Sequence, residues 1–290
     1  MFTVKIKSFF KKYKLVYLLN ILKFIFRKYL RKKQVKVAVC AICRNEKPYL
    51  LEWIAWNKII GFDKIFIYDN QSNDGTSELL VSLDENGEIK RFGWPRHENI
   101  PPKQSAYKHF IQGPALDFDW VFICDIDEFI CFSNLNLKSF LKKAVLSNHN
   151  VSAISIPWLI FGSSGQEKHD SKRLVTERFT KCEENPDINV KTIFRPEYAY
   201  DYRVHHCELS IGDFLDNELK PARWDKKYHI DRRNWKMLKP KKGYVLLHHY
   251  FTKSREEWNR RKKLPRVDYG KVMLGRRPVS YTHLRAHETD

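Results

Sequence analysis

Two carboxylates one residue apart, Asp125 and Asp127, follow directly on the apolar run Trp120-Val121-Phe122-Ile123-Cys124. Hard oxygen donors at that spacing can hold a divalent cation, Mn2+ or Mg2+, between themselves and a diphosphate. Polar clusters also follow two earlier apolar runs: Arg44-Asn45-Glu46, and Asp69-Asn70 with Ser72 and Asp74. Glu46, Asp69 and Asn70 carry groups suited to a base edge or to ribose hydroxyls. Neither G-x-x-x-x-G-K nor G-x-G-x-x-G occurs, so no glycine loop of either kind cradles a phosphate. Phosphate charge must then be met by a metal and by Lys or Arg. That combination suits sugar-nucleotide chemistry better than ATP hydrolysis or hydride transfer.

Such clusters meet only if regular elements bring them to one edge, and the apolar periodicity supplies those elements. Strands are predicted over 35–43, 64–68, 88–94 and 120–124, each followed by a turn, with helices over 48–60, 76–83 and 103–112 between them. Pro48 opens the first of these helices and Gly61 stops it. Trp53 and Trp56 share its apolar face and read as packing onto the sheet. Beyond Asp127 the pattern predicts a helix over 137–146, a strand over 151–158 and a mobile loop over 162–165. A pair of short strands over 190–202, a final strand over 245–247 and a charged helix over 254–263 complete it. The alternation predicts an α/β fold, one Rossmann-like domain over 35–275 with a mainly parallel sheet and helices on both faces. The acidic pair falls at the carboxyl end of its strand, where open α/β sheets bind ligands.

Net charge is +19 over 290 residues. Residues 1–34 hold eleven Lys and Arg and no Asp or Glu, so they account for +11 and leave +8 for the rest. A body at +8 suits phosphate binding and gives little support to a nucleic-acid partner. The first 34 residues read either as a basic amphipathic helix on anionic lipid or as a solvated helix packed on the domain. Lys23 interrupts their apolar stretch, which is too short to span a bilayer, and no small-residue cleavage site follows. A cytoplasmic protein with peripheral contact at the inner face of a membrane is therefore expected. The six cysteines read as free thiols in a reducing compartment, most of them buried. Residues 276–290, from Pro278 onward in particular, resemble a translated sequencing adapter and are set aside as a non-native tail.

Three spaced motifs carry a resemblance to a known group. Ala41 to Trp53 (AICRNEKPYLLEW), Ile67 to Gly75 (IYDNQSNDG) and Asp125 to Phe129 (DIDEF) are similar to family 2-type glycosyltransferases. More closely, they resemble the branch that includes glycosyltransferase family 92. Trp158 with Phe161-Gly162-Ser163-Ser164-Gly165, and His249-Tyr250 with Lys253-Ser254 and Glu257-Trp258, are similar to later motifs of that branch. The resemblance spans about residues 36–263. It implies a GT-A fold, a nucleotide-sugar donor, usually a uridine diphosphate sugar, a metal bound through Asp125 and Asp127, and inversion at the anomeric carbon. Gln166 departs from the pattern, since many relatives carry His there.

The chemistry expected is hexose transfer to a glycan or lipid-linked acceptor. Charge building on the leaving diphosphate needs a cation, and the attacking hydroxyl needs a carboxylate to take its proton. Glu177 and Asp170 are the candidates for that base; Glu128 stands beside the metal pair or braces a neighbouring loop. His249 either completes the metal shell or is a buried histidine bonded to backbone, with His205-His206 as a competing pair. Lys253 and Arg255 either meet the diphosphate or stay as exposed charges. Trp158 is a sugar-stacking candidate. Two alternatives stand beside this reading: a sugar nucleotidyltransferase, and a noncatalytic basic protein binding nucleic acid or anionic lipid.

Overall fold

Residue parity along the first strand sorts the protein into layers. A computed structural model describes residues 34–97, 100–203, 205–225, 236–263 and 285–286. The basic N-terminal segment and the tail thus lie outside the described residues, apart from Gln34 and the pair 285–286. The first half runs β1 (Val37–Cys43), α1 (Lys47–Ile60), β2 (Lys64–Asp69), α2 (Thr76–Glu85), β3 (Lys90–Gly93), α3 (Pro102–Gln112) and β4 (Trp120–Ile123). Next come β5 (Glu128–Phe132), α4 (Leu137–Ser147), β6 (Val151–Ile160), α5 (Val175–Arg178), β7 (Lys181–Cys182) and β8 (Val190–Phe194). The order closes with β9 (Ala199–Tyr202), β10 (Cys207–Leu209), β11 (Asp213–Leu215), β12 (Val245–His249) and α6 (Arg255–Lys263).

Every residue of β1 is buried. Its odd positions, Val37, Val39, Ala41 and Cys43, pack with Leu50, Trp53 and Ile54 of α1, Leu80 of α2 and Phe140 of α4. The even positions, Ala38, Cys40 and Ile42, pack with Ala106, Tyr107 and Phe110 of α3. A strand covered on both faces needs apolar residues at both parities, which is why it reads as a continuous run.

Among the described residues a nine-stranded sheet has the order β3-β2-β1-β4-β8-β6-β12-β5, with β11 beside β6. Strands β3, β2, β1 and β4 are mutually parallel. The next strand, β8, runs against both β4 and β6, so β6 returns to the direction of β4. Strand β12 is parallel to β6, and β5 is antiparallel to β12. The expected single α/β domain with a mainly parallel sheet is observed. One consequence matters most: β1, β2, β4, β6 and β12 all end on the same rim. The order 3-2-1-4 also places a topological switch point between β1 and β4, where a crevice opens outside the strand ends.

The sheet ends at β5, whose outer edge would leave backbone carbonyls open. Helix α1 closes it. Trp53 Nε1 donates to Glu128 O at 3.0 Å, and Trp56 Nε1 donates to Ile130 O at 2.9 Å. Residues three apart on a helix thus meet alternate carbonyls of a strand. Gly61 caps α1 with φ of 107°, a left-handed turn that glycine adopts without steric cost. The loop over 162–165, expected to be mobile, is instead tied down. Gly162 N donates to Lys181 O at 3.0 Å, and Ser164 Oγ accepts from the Thr180 and Lys181 amides at 2.9 and 3.0 Å. No helix among the described residues is long and apolar enough to cross a membrane.

Candidate active site

The chain leaves β4 at Ile123, turns through the acidic pair and re-enters the sheet as β5. Antiparallel pairing of β5 with β12 sets His249 opposite Glu128. The turn is stitched to β12 by Tyr250 N donating to Asp127 O at 2.9 Å. This register brings His249 Nε2 to 3.6 Å from Asp127 Oδ1. Sequence spacing alone could not show that proximity.

Both carboxylates are met by cations. Lys103 Nζ lies 2.6 Å from Asp125 Oδ1 and 2.8 Å from Oδ2, while Lys191 Nζ lies 3.2 Å from Oδ2. Arg261 Nη1 donates to Asp127 Oδ2 at 2.5 Å and to Phe251 O at 3.1 Å. Burial would push Asp125 up, but Lys103 and Lys191 hold it below the usual carboxylate range. Burial opposes Asp127 likewise, and Arg261 with His249 outweighs it and holds that group well below the usual range. Glu128 goes the other way: burial raises it to about 7 against the pull of Lys191. Its Oε2 accepts the Asp125 amide at 2.8 Å, bracing the turn, and its buried Oε1 has no hydrogen-bond partner in the protein.

An open cleft of about 390 Å³, counting its solvent-filled mouth, lies against Arg44, Asn45, Glu46, Lys253, Glu257 and Arg261. Burial pushes Glu46 above its ordinary range; Lys253 and Arg261 oppose that push, and Asp127 and Asp125 add to it. The turn after β1 and the turn after β4 therefore act on one another electrostatically. Lys253 is buried and its ammonium stands 4.0 Å over the Tyr49 ring. Burial lowers its pKa, opposed by Glu46 and Asp127. Lys253 and Asn45 both have left-handed backbone, with φ of 56° and 59°, a conformation that costs energy outside glycine. Arg44 Nε is buried without a hydrogen-bond partner in the protein.

The turn after β2 carries a hydrogen-bond network of its own. Asp69 accepts from Arg91 Nη2 at 2.7 Å, Ser77 Oγ at 2.6 Å and Ser72 N at 3.2 Å. Ser72 Oγ accepts from Asn45 N at 3.1 Å, and Asp74 caps α2 through Thr76 N at 3.0 Å. Asn70 Nδ2 donates to Trp94 O at 2.9 Å, while its buried Oδ1 has no such partner. Asp69, Ser72 and Asp74 thus shape the loop that holds 44–46 in place. These hydrogen bonds do not reach the acidic pair.

The two base candidates make local caps. Glu177 is exposed and its Oε2 accepts from Leu174 N at 3.0 Å; Asp170 Oδ1 accepts from Lys172 N at 2.9 Å. Arg255 is largely exposed and pairs with Glu167. Trp158 packs its ring 4.4 Å from that of His249 and 5.3 Å from that of His205. Burial, then Lys191 and Lys103, depress the His205 pKa well below its ordinary value.

Sequence reasoning missed Lys103, Lys191, Arg261 and the cluster around Glu257. Lys191 did leave a signal, as a lone charge inside the apolar strand Val190–Phe194, since a buried lysine demands a partner. Arg261 left none, being one of several cations in a charged helix.

A divalent cation suits part of this donor set. Among the described residues no three His, Cys, Asp or Glu side chains form a ready cage. Asp127 with His249 offers one carboxylate oxygen and one imidazole nitrogen from two rigid strand ends. Ligand oxygens would complete such a shell. Asp125 is clamped by two lysines and is less free to join.

The family model for glycosyltransferase family 92 matches residues 33–269. A glycosyltransferase family 92 protein of Arabidopsis thaliana is 32% identical over 190 residues, covering 61% of this chain and 32% of that protein. One from Oryza sativa subsp. japonica is 30% identical over 192 residues, covering 64% and 32%. The chain spans about a third of the length of these relatives. Likeness to solved structures is partial. TarS 1–349 of S. aureus in complex with UDP-GlcNAc overlaps 56% of this chain and 46% of its own at 17% identity and a TM-score of 0.35. Glucosyl-3-phosphoglycerate synthase from Mycobacterium tuberculosis overlaps 57% and 58% at 14% identity and a TM-score of 0.31. With the family model running over most of the sequence, the chain belongs to glycosyltransferase family 92.

Proposed function

We propose that this cleft transfers a hexose from a nucleotide diphosphate sugar, with uridine diphosphate as the carrier, to a hydroxyl of a glycan or lipid-linked acceptor, inverting the anomeric carbon. The observation that carries the reading is Asp127 beside His249 at the switch-point rim, next to Lys253, Arg261 and Glu46. Asp127 and His249 would hold Mn2+ or Mg2+. A divalent cation bound there supplies Lewis-acid stabilisation of the leaving diphosphate.

The protein's own groups do the rest. Lys253 and Arg261 bring positive charge to the diphosphate, Lys253 from a buried position where such charge acts strongly. Arg44, Asn45 and Glu46 line the wall that the nucleoside would face, with the turn of Asp69, Asn70, Ser72 and Asp74 holding them in place. Asp125, fixed by Lys103 and Lys191, offers a rigid acceptor for a ribose or sugar hydroxyl. Trp158 presents an aromatic face nearby. Of the two carboxylates proposed to take the acceptor proton, Asp170 is better supported. It directly follows the segment 166–169 that docks against α6. Residues 1–34 would rest on anionic lipid at the cytoplasmic face and keep the cleft near a membrane-held acceptor.

A thermal-shift series with UDP, GDP and ADP, each with and without Mn2+, tests the reading. UDP with Mn2+ should raise the midpoint most, and Asp127→Asn should lose that gain while melting cooperatively. If no nucleoside diphosphate stabilises the protein with Mn2+ beyond Mn2+ alone, the donor assignment fails.

A further inference from the structure

Arg261 neutralises the carboxylate that a metal would share with His249. Its Nη1 sits 2.5 Å from Asp127 Oδ2 and bridges to Phe251 O, while His249 faces the other oxygen. We propose that Arg261 is an exchangeable stand-in cation, which keeps Asp127 neutralised until metal and diphosphate arrive together and then releases it. This inference rests on the metal reading above and adds an order of binding to it.

Three observations support it. First, the cations on the two aspartates differ in their freedom to leave. Lys191 is 0% exposed and Lys103 9%, so neither ammonium can leave Asp125 for bulk water. The Arg261 side chain is 38% exposed, so its guanidinium can return to water.

Second, the charge balance disfavours a metal alone. Four carboxylates, Glu46, Asp125, Asp127 and Glu128, face the four cations Lys103, Lys191, Lys253 and Arg261. A bare dication would enter a site whose carboxylates are already matched by cations. A diphosphate entering with it supplies the missing negative charge and gives the freed guanidinium a bidentate partner.

Third, the helix has a fixed pivot. Four residues before Arg261, the Glu257 carboxylate is locked to Arg178 and Tyr49, so Arg261 can swing without the helix undocking.

Mn2+ binding to the full chain, followed by the EPR signal of free Mn2+, separates the possibilities without any turnover measurement. In the wild type, Mn2+ alone should bind weakly and UDP should tighten it strongly. Arg261→Gln should bind Mn2+ without UDP about tenfold tighter or more. The tightening that UDP brings should shrink accordingly. Arg261→Lys, which keeps a charge but loses the planar fork, should shift both quantities in the same direction by less. If both variants bind Mn2+ alone no tighter than the wild type while Asp127→Asn abolishes binding, the stand-in role is wrong and the metal site survives. If no form binds Mn2+ with or without UDP, both fall.

Discussion

The carboxylate of Glu257 accepts both arms of the Arg178 guanidinium, at 2.9 and 3.1 Å, with each side chain only 2% exposed. Tyr49 OH, Ser254 N and His169 Nδ1 converge on the same carboxylate at 2.6, 3.1 and 3.0 Å. One buried group thus joins α1, the segment after the glycine loop, α5 and the start of α6. The amides of Arg255 and Glu256 reinforce the joint by donating to Gln166 O and Glu167 O at 3.1 and 3.0 Å.

Glu257→Gln should therefore lower stability by about 3 kcal/mol, because a buried guanidinium loses its counter-charge. The pH dependence has a definite sign. Burial pushes Glu257 up, but hydrogen bonds from Arg178, Ser254 and Tyr49 win and hold it below its ordinary 4.5. Its stabilising effect is then complete above that value and fades as acid titrates the folded carboxylate. Urea melts of both proteins should show a gap that is constant near neutrality and closes below pH 4.5. A gap that widens on acidification would contradict the pairing.

Glu128 should act in the opposite sense. Its folded pKa is raised to about 7 by burial, so between 4.5 and 7 the folded protein holds a proton that the unfolded chain has lost. Its contribution to stability must fall as pH rises across that window and level off above it. Glu128→Gln should remove this slope, and the variant should gain relative to the wild type from pH 5 to pH 7. Parallel stability curves for the two proteins would show that Glu128 is ionised throughout.

The two aspartates should differ in what their loss does to folding. Asp125→Asn takes a carboxylate charge from the buried Lys191 and Lys103 and should cost about 3 kcal/mol. Asp127→Asn releases Arg261, whose guanidinium can move to water, and weakens the contact with His249, and should cost about 1 kcal/mol. Calorimetric midpoints for the pair would settle the ranking; equal losses would mean the lysines find other partners.

Deleting residues 1–33 should move the protein from sedimenting anionic vesicles to the supernatant and leave its melting midpoint in place. An unchanged distribution would assign that segment to packing on the domain.

Much of the scaffold was legible from the chain alone. The strand ends at Cys43, Asp69 and Ile123 lie within one residue of where the apolar runs give way to turn formers, which is local chemistry. Trp53 and Trp56 could be assigned to packing because helical spacing put them on one apolar face. The acidic turn and the clusters at 44–46 and 69–74 could be placed on one rim, since parallel strands all point the same way.

What the sequence could not decide is which charge meets which. Lys191 reaches Asp125 across 66 positions and Arg261 reaches Asp127 across 134. Those meetings depend on β8 slotting in beside β4 and on β12 pairing with β5, choices of sheet order that leave no local mark. The turn after β2 reads as binding surface by composition, and its Asp69 and Asp74 carboxylates also accept amides within the turn, because short polar side chains satisfy the nearest backbone first. Residue types and periodicity are local and survive in one dimension. The pairing of buried charges is a property of the packed chain, where desolvation makes a partner obligatory and only the fold supplies it.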